Sequence, residues 1–380
     1  MNRRWLCSDV WMDILPSFDH AQLGLKMALL SDRFDALVDT HFDGKSELTT
    51  WKWIRICKDE EVGPPKPKVS VPIGANFVQQ SPWEPMDGNF VDFPLPDRPL
   101  PNKLRIRFMI EYIDYSVIAF LRANKQIWDT KGTTVYFCVD SDGTESDAHQ
   151  LQHQQNWDVL AREIWPIFSA NMRNFMFNNA HHLDQLCRRI SPTLLTDLDK
   201  LNWIYSGRLF PDVCAADGSN EFAARQVLYK WLHTPTKDGT PKQLYCRETI
   251  GFPNNQWVHN FKEEFPRATT SASYTINFNL YLVKMRIWPF VLDNKQTNER
   301  MTLIKEPDRG AQLGDWLLNR CPLATTDQQQ QQQKKDENSD AKLNSVYFRL
   351  RGDCIGPMSP PDQSDGNAVS APAGPSDHGE

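Results

Sequence analysis

Among its 8 cysteines the chain has no pair at C-x-x-C spacing, and it has no N-x-Ser/Thr sequon. Both absences argue against a disulfide-stapled or glycosylated secreted domain. They favour reduced thiols in the cytoplasm or nucleus. No stretch approaches the ~20 apolar residues that span a bilayer. Arg3 and Arg4 lead into no apolar run, so neither a membrane span nor a signal peptide is expected. Positive charge is not in excess; the net charge of −6 gives no reason to expect nucleic acid binding. There is no G-x-G-x-x-G or Walker loop to cradle phosphates, and no G-x-S-x-G elbow to raise a nucleophile. No cofactor is expected.

What the chain does have is aromatic bulk. With 13 Trp and 20 Phe in 380 residues, one sizeable core and a smaller domain are within reach. The first 43 residues carry three short amphipathic patterns in succession. Ser8 or Asp9 can cap the first, which places Val10, Trp11, Ile14, Leu15 and Phe18 on one side until Pro16 ends or kinks it. Asp19 with Gln22 forms a capping box for the second, striped by Leu23, Met27 and Leu30. Ser31 or Asp32 caps the third, where Phe34, Leu37, Val38 and His41 are spaced i, i+3, i+4, i+7. Helices this small cannot bury their apolar faces alone and are expected to dock on something larger.

Further on, strand and helix patterns alternate. Strands are expected at Trp51–Cys57, Leu104–Tyr112, Thr133–Val139, Met172–Phe177, Leu201–Tyr205, Gln243–Cys246 and Tyr274–Leu282. Helices are expected at Tyr115–Trp128, Trp157–Phe168, Ala180–Ile190, Glu221–Leu232 and Trp257–Phe265. Met285–Leu292 and Arg300–Ile304 read as a closing hairpin, and Trp316–Leu318 as the last folded element. Residues 44–101 comprise a strand and a proline-rich linker, with ten of the 26 prolines between 61 and 101. The rhythm from 102 to 323 predicts an α/β region on a parallel sheet, with an irregular leucine-rich-repeat-like arc favoured over a compact sheet. Residues 324–380 hold a six-Gln run from Gln328 to Gln333 and a Pro/Ser-rich end. They are expected to be disordered, except that Val346–Leu350 could form a transient edge strand.

The motifs that bear on chemistry are few. Asp140-Ser141-Asp142-Gly143-Thr144 follows an apolar strand and looks like the first motif of Mg²⁺-dependent haloacid-dehalogenase-type phosphatases. There Asp140 would attack phosphorus and Asp142 would serve as acid and base. Ser206 could supply the second motif's hydroxyl. The later pair of carboxylates that would hold the metal is missing after Gln243–Cys246 and Tyr274–Leu282, so a polar loop is the preferred reading. His181 and His182 have no third ligand in view and read as a helix surface, so no metal site is expected. Cys138, Cys187 and Cys246 read as small core residues.

The N-terminal segment resembles an F-box. The likeness rests on Leu6, Asp9, the Ile14-Leu15 pair, Phe18, Leu23 and the Leu30-Ser31-x-Arg33-Phe34 run, and departs from the pattern at Cys7 and Pro16. Ala36–Phe42, Ile110–Asp114, Trp231–Pro235 and Asp315–Pro322 are similar to segments of a large nematode family of F-box proteins, over roughly residues 5–323. The resemblance implies a three-helix F-box at 5–43 followed by an α/β substrate-recognition region. It implies a substrate-receptor subunit of a Skp–cullin–F-box ubiquitin ligase, binding a Skp-type adaptor and through it a cullin, and recruiting an unknown protein substrate. Leu6, Val10, Ile14, Leu15, Phe18, Leu23, Leu30 and Phe34 would be the adaptor contacts. No catalytic residue is expected, because the chemistry belongs to partner subunits; the alternatives are the Mg²⁺-dependent phosphatase using Asp140 and Asp142 and a non-ligase interaction scaffold whose F-box-like helices have lost adaptor binding.

Overall fold

A computed structural model describes residues 8–15, 27, 30–43, 52–59, 66–72, 90–96, 99–100, 106–129, 132–139, 147–178, 180–207, 209–212, 221–247, 256–279, 288–305, 315–323, 343–351 and 354–359. Strand alternation decides what each face of the sheet receives. In β5 (Thr133–Val139) the residues Val135, Phe137 and Val139 join one apolar cluster, while Tyr136 and Cys138 join another. The same division runs through β4 (Ile106–Ile110), β6 (Met172–Phe177) and β7 (Trp203–Tyr205). It continues through β8 (Lys242–Arg247) and β9 (Tyr274–Asn279), where Leu244 and Cys246, then Tyr274, Ile276 and Phe278, enter the first cluster.

The strands form one thirteen-stranded sheet in the order β10-β11-β12-β9-β8-β7-β6-β5-β13-β4-β1-β2-β3. The remaining members are β1 (Lys52–Asp59), β2 (Lys66–Pro72), β3 (Phe90–Pro94), β10 (Phe290–Asn294), β11 (Glu299–Lys305), β12 (Asp315–Pro322) and β13 (Asn344–Leu350). From β5 to β9 each new strand lies parallel beside the one before, always stepping in the same direction. Right-handed crossovers along such a run all return over the same face. Helices α3 (Tyr115–Ala123), α7 (Ala180–Arg189), α8 (Glu221–His233) and α9 (Gln256–Glu264) accordingly bury their apolar residues in the first cluster.

The second cluster is made of strand residues alone. Met109, Tyr347, Tyr136, Met176, Tyr205 and Tyr245 sit side by side across β4, β13, β5, β6, β7 and β8. Tyr205 and Tyr245 stack with ring centres 5.5 Å apart, and Tyr136 meets Tyr347 at 5.7 Å.

Three expectations change. The sheet is not a leucine-rich-repeat arc. β13 lies between β4 and β5 and runs parallel to both, and antiparallel strands finish each end of the sheet. The tail is therefore not uniformly disordered: Val346, Phe348 and Leu350 are fully buried, and β13 is a central strand rather than an edge. The proline-rich linker contains β2 and β3, paired antiparallel from Lys68↔Pro94 to Pro72↔Phe90. Pro67, Pro72 and Pro94 fall at or next to the ends of these strands, where a missing N–H costs least.

Two helices differ from their expected form for local reasons. Asp114 accepts hydrogen bonds from the Ser116 and Val117 backbone N–H groups at 2.9 and 3.0 Å and starts α3. Asn124 then interrupts the helix. Its Nδ2 donates to the Phe120 carbonyl at 2.8 Å, its Oδ1 accepts from the Leu100 N–H at 2.7 Å, and α4 (Lys125–Asp129) begins after it. The helix expected from Trp157 begins earlier, as α5 (Asp147–Val159), and widens into a π-helical turn at Leu160–Ile164 before α6 (Trp165–Phe168). Pro166 lies in the first turn of α6 and supplies no N–H to the ladder, and the Trp165 N–H donates to the Leu160 carbonyl five residues back.

Candidate functional site

The N-terminal helices α1 (Ser8–Ile14) and α2 (Asp32–Asp43) pack together through an edge-to-face contact of Trp11 with Phe34, ring centres 4.8 Å apart. The Ser31 hydroxyl accepts from the Phe34 N–H at 3.4 Å, a long version of the expected cap. Leu15, Leu37 and Val38 are buried and belong to the same apolar cluster as the sheet. Leu15, expected at the adaptor contact, has no exposed surface and is an internal anchor. Ile14 and Phe34 are half-buried. Val10 is 38% exposed and Leu30 63% exposed. Leu6, Phe18 and Leu23 lie outside the described residues.

Asp140 and Asp142 lie outside the described residues. Ser206 is fully buried, and its hydroxyl donates to the Leu209 carbonyl at 2.6 Å. His182 is buried rather than on the surface, with Nε2 3.2 Å from the Val139 carbonyl. His181 stacks on His153 at 5.4 Å, and burial lowers the pKa of both. Among the described residues no group of three His, Cys, Asp or Glu side chains is placed to hold a metal ion. No described helix is long and apolar enough to cross a membrane. Cys138 and Cys246 are buried and Cys187 is partly so; burial pushes the Cys187 and Cys246 thiols up to about 12.

The most elaborate polar arrangement is one that sequence reasoning did not single out. A cleft of about 360 Å³ opens between α8, α9 and the ends of β9, β11 and β12. At its base Arg320 and Glu299 form an ion pair in which both side chains are only 2% exposed. Arg320 Nε and Nη2 donate to Glu299 Oε2 at 3.1 and 2.7 Å, and Nη2 also donates to the Thr270 carbonyl at 2.7 Å. Glu299 Oε1 accepts the Ala272 N–H at 2.7 Å. The guanidinium lies over the rings of Phe265 and Tyr274, at 5.2 and 6.0 Å. Removing one partner from a pair this buried strands a charge and costs about 3–5 kcal/mol.

Above the pair, His233 stacks on Tyr229 with ring centres 4.0 Å apart. A carbonyl can only accept, so Nδ1, 2.9 Å from the Tyr229 carbonyl, carries the proton. Nε2 is then left to accept from the Tyr274 hydroxyl at 3.4 Å. Desolvation lowers the His233 pKa to about 4, so the imidazole is neutral at physiological pH. The Tyr229 hydroxyl donates to Glu264 Oε2 at 2.9 Å. Nearby, burial lowers the Lys242 pKa to about 8, and its ammonium donates to the Trp231 carbonyl.

The chain matches no protein-family model, no curated protein and no solved structure. The cleft brings His233 of α8 and Arg320 of β12 together. The one signal available in the sequence was a lone arginine inside an otherwise uncharged strand core, Leu317-Leu318-Asn319-Arg320-Cys321.

Proposed function

We propose that the chain is a substrate receptor of a Skp–cullin–F-box ubiquitin ligase. In this reading a Skp-type adaptor binds the N-terminal helices, the α/β sheet region carries the target site, and ubiquitin transfer is performed by partner subunits in the cytoplasm or nucleus. The observation that supports it is the two-sidedness of the N-terminal segment. Leu15, Leu37 and Val38 are fastened into the sheet's core, while Val10 and Leu30 remain exposed apolar residues on the same short segment. A receptor has to hold its target at a fixed position relative to the adaptor. Helices that share a core with the recognition domain meet that need without a linker.

Adaptor binding is then carried by Val10 and Leu30, together with Leu6, Phe18 and Leu23. The test is co-precipitation of a Skp-type adaptor with a Val10→Asp, Leu30→Asp double variant, whose exposed positions leave the fold intact. Capture is expected to fall at least tenfold while the melting temperature stays unchanged. Undiminished capture by the folded variant, or no capture by the wild-type chain, rejects the reading. Leu15 is unsuitable for this test, because a charge there would unfold the segment whatever its partner.

A further inference from the structure

We propose that the outer edge of β10 pairs antiparallel with β10 of a second copy of this chain, across a two-fold axis, to form a closed dimer with one continuous sheet. Among the described residues β10 ends the sheet, and only β11 pairs with it, in five consecutive residue pairs without a bulge. The direction of its backbone groups follows from β11. The Leu323 N–H donates to the Asn298 carbonyl at 3.0 Å, which continues the β11–β12 register and makes that pair a hydrogen-bonded one. Such pairs alternate along an antiparallel ladder. Arg300 and Thr302 therefore turn their backbone groups to β12, and Glu299, Met301 and Leu303 turn theirs to β10. In β10 their partners Asn294, Leu292 and Phe290 face β11. Val291 and Asp293 direct N–H and C=O outward, joined by the carbonyl of Pro289.

That outward set is self-complementary, which selects a second copy as the occupant. With Val291 on the axis, each Val291 N–H meets the Val291 carbonyl of the other copy, and each Asp293 N–H meets the Pro289 carbonyl of the other copy. Every outward N–H has an acceptor, and the donor that proline lacks costs one bond on each side. Phe290 then lies opposite Leu292, Val291 opposite Val291, and Asp293 opposite proline rather than a like charge. The Asp293 carboxylate is already held by Arg300 through bonds of 2.7 and 3.0 Å. Centring the pair on Leu292 instead would set Val291 opposite Asp293. The side chains fit the same register: Val291 is mostly exposed, and Ile304, two residues beyond its β11 partner Thr302 and so on the same face, is exposed beside it. The other end of the sheet explains why association stops at two. β3 presents Asp92, bound to Lys68 at 2.9 Å, and ends at Pro94, so β10 of one copy has no matching edge in β3 of the next. One pairing edge per chain gives a two-fold dimer and not a filament.

Sedimentation velocity of the full chain over a concentration series, with amide hydrogen exchange at both ends of the series, tests this. A monomer–dimer equilibrium is expected, with no larger species. The Val291 and Asp293 amides are expected to gain protection as the dimer forms, whereas those of Phe290 and Leu292 are protected by β11 at every concentration. Val291→Lys sets two ammonium groups together on the axis and is expected to raise the dissociation constant at least tenfold with the melting temperature unchanged. The Val10→Asp, Leu30→Asp variant is expected to dimerise as the wild type does, which separates this edge from the exposed residues of the N-terminal helices. Monomer at every concentration, species larger than a dimer, undiminished dimer in folded Val291→Lys, or no added protection at Val291 and Asp293 overturns the proposal. Adaptor capture is a separate measurement, so this edge and the receptor reading fail independently.

Discussion

A neutral imidazole enclosed by two tyrosines and a phenylalanine makes the fold sensitive to acid. His233 contacts Tyr229, Phe261 and Tyr274, and its pKa drops from 6.5 to about 4. In the unfolded chain the same side chain takes up a proton near pH 6.5, so between the two values the unfolded state binds more protons. Stability from this residue is complete above about pH 6.5 and is lost as pH falls towards 4. The loss amounts to roughly 3 kcal/mol at the lower end. His153 and His181, also shifted down by burial, act in the same direction. Urea unfolding from pH 7.5 to 4.5 is expected to show a declining free energy, with a shallower slope in His233→Gln. An unchanged slope would place the acid sensitivity elsewhere.

At the scale of elements, β13 matters most. Val346, Phe348 and Leu350 are each fully buried, and burial of such side chains contributes about 1.5–3 kcal/mol apiece. The strand also joins β4 to β5, which have no other bridge between them in the sheet. Just beyond it, Gly356 donates to the Ile113 carbonyl at 2.8 Å, in a place where a Cβ would come within 1.9 Å of the Tyr112 hydroxyl. Truncation before residue 343 is therefore expected to abolish cooperative thermal unfolding, whereas truncation after residue 359 leaves the midpoint within a degree or two. Survival of the shorter chain as a folded protein would show that β4 and β5 can close without β13.

The same strand shows why the sequence was legible in some places and not in others. Thr133–Val139 and Met172–Phe177 were readable to the residue, because each ends in an unbroken group of apolar and aromatic residues inside a regular strand–helix alternation. Asn344–Leu350 has the same alternation, but it follows a glutamine run, and its partners are far away in the chain. Composition spoke for disorder while pairing, which no local pattern reports, determined the outcome. The cleft was hidden for a similar reason. Tyr229, Glu264, Tyr274, Glu299 and Arg320 come from five separate elements, and none forms a motif with its neighbours in sequence.

At the scale of the whole molecule, the sheet's two ends are finished differently. At one end β3 carries Asp92, bound to Lys68 at 2.9 Å, and prolines at or beyond its last residue, features that discourage further pairing. At the other, β10 is the outermost strand, and Val291 and the neighbouring Trp288 are 61% and 73% exposed. An edge with that much exposed apolar surface is prone to self-association. Light scattering across a concentration series is expected to show association that Val291→Lys reduces without changing the melting temperature. Equal scattering from both proteins would mean that this edge does not pair.

Placing the last described strand in the middle of the sheet also sets a clock on synthesis. The Asn344 side chain donates to the Ile127 carbonyl across 217 residues of chain. At translation speeds of 5–20 residues per second that separation is roughly ten to forty seconds. Until it elapses, β4 and β5 emerge from the ribosome with a vacant slot between them and two unpaired strand edges. The nascent chain therefore passes through a long interval in which another extended segment can fill that slot, and a chaperone that shields strand edges has its greatest effect during that interval.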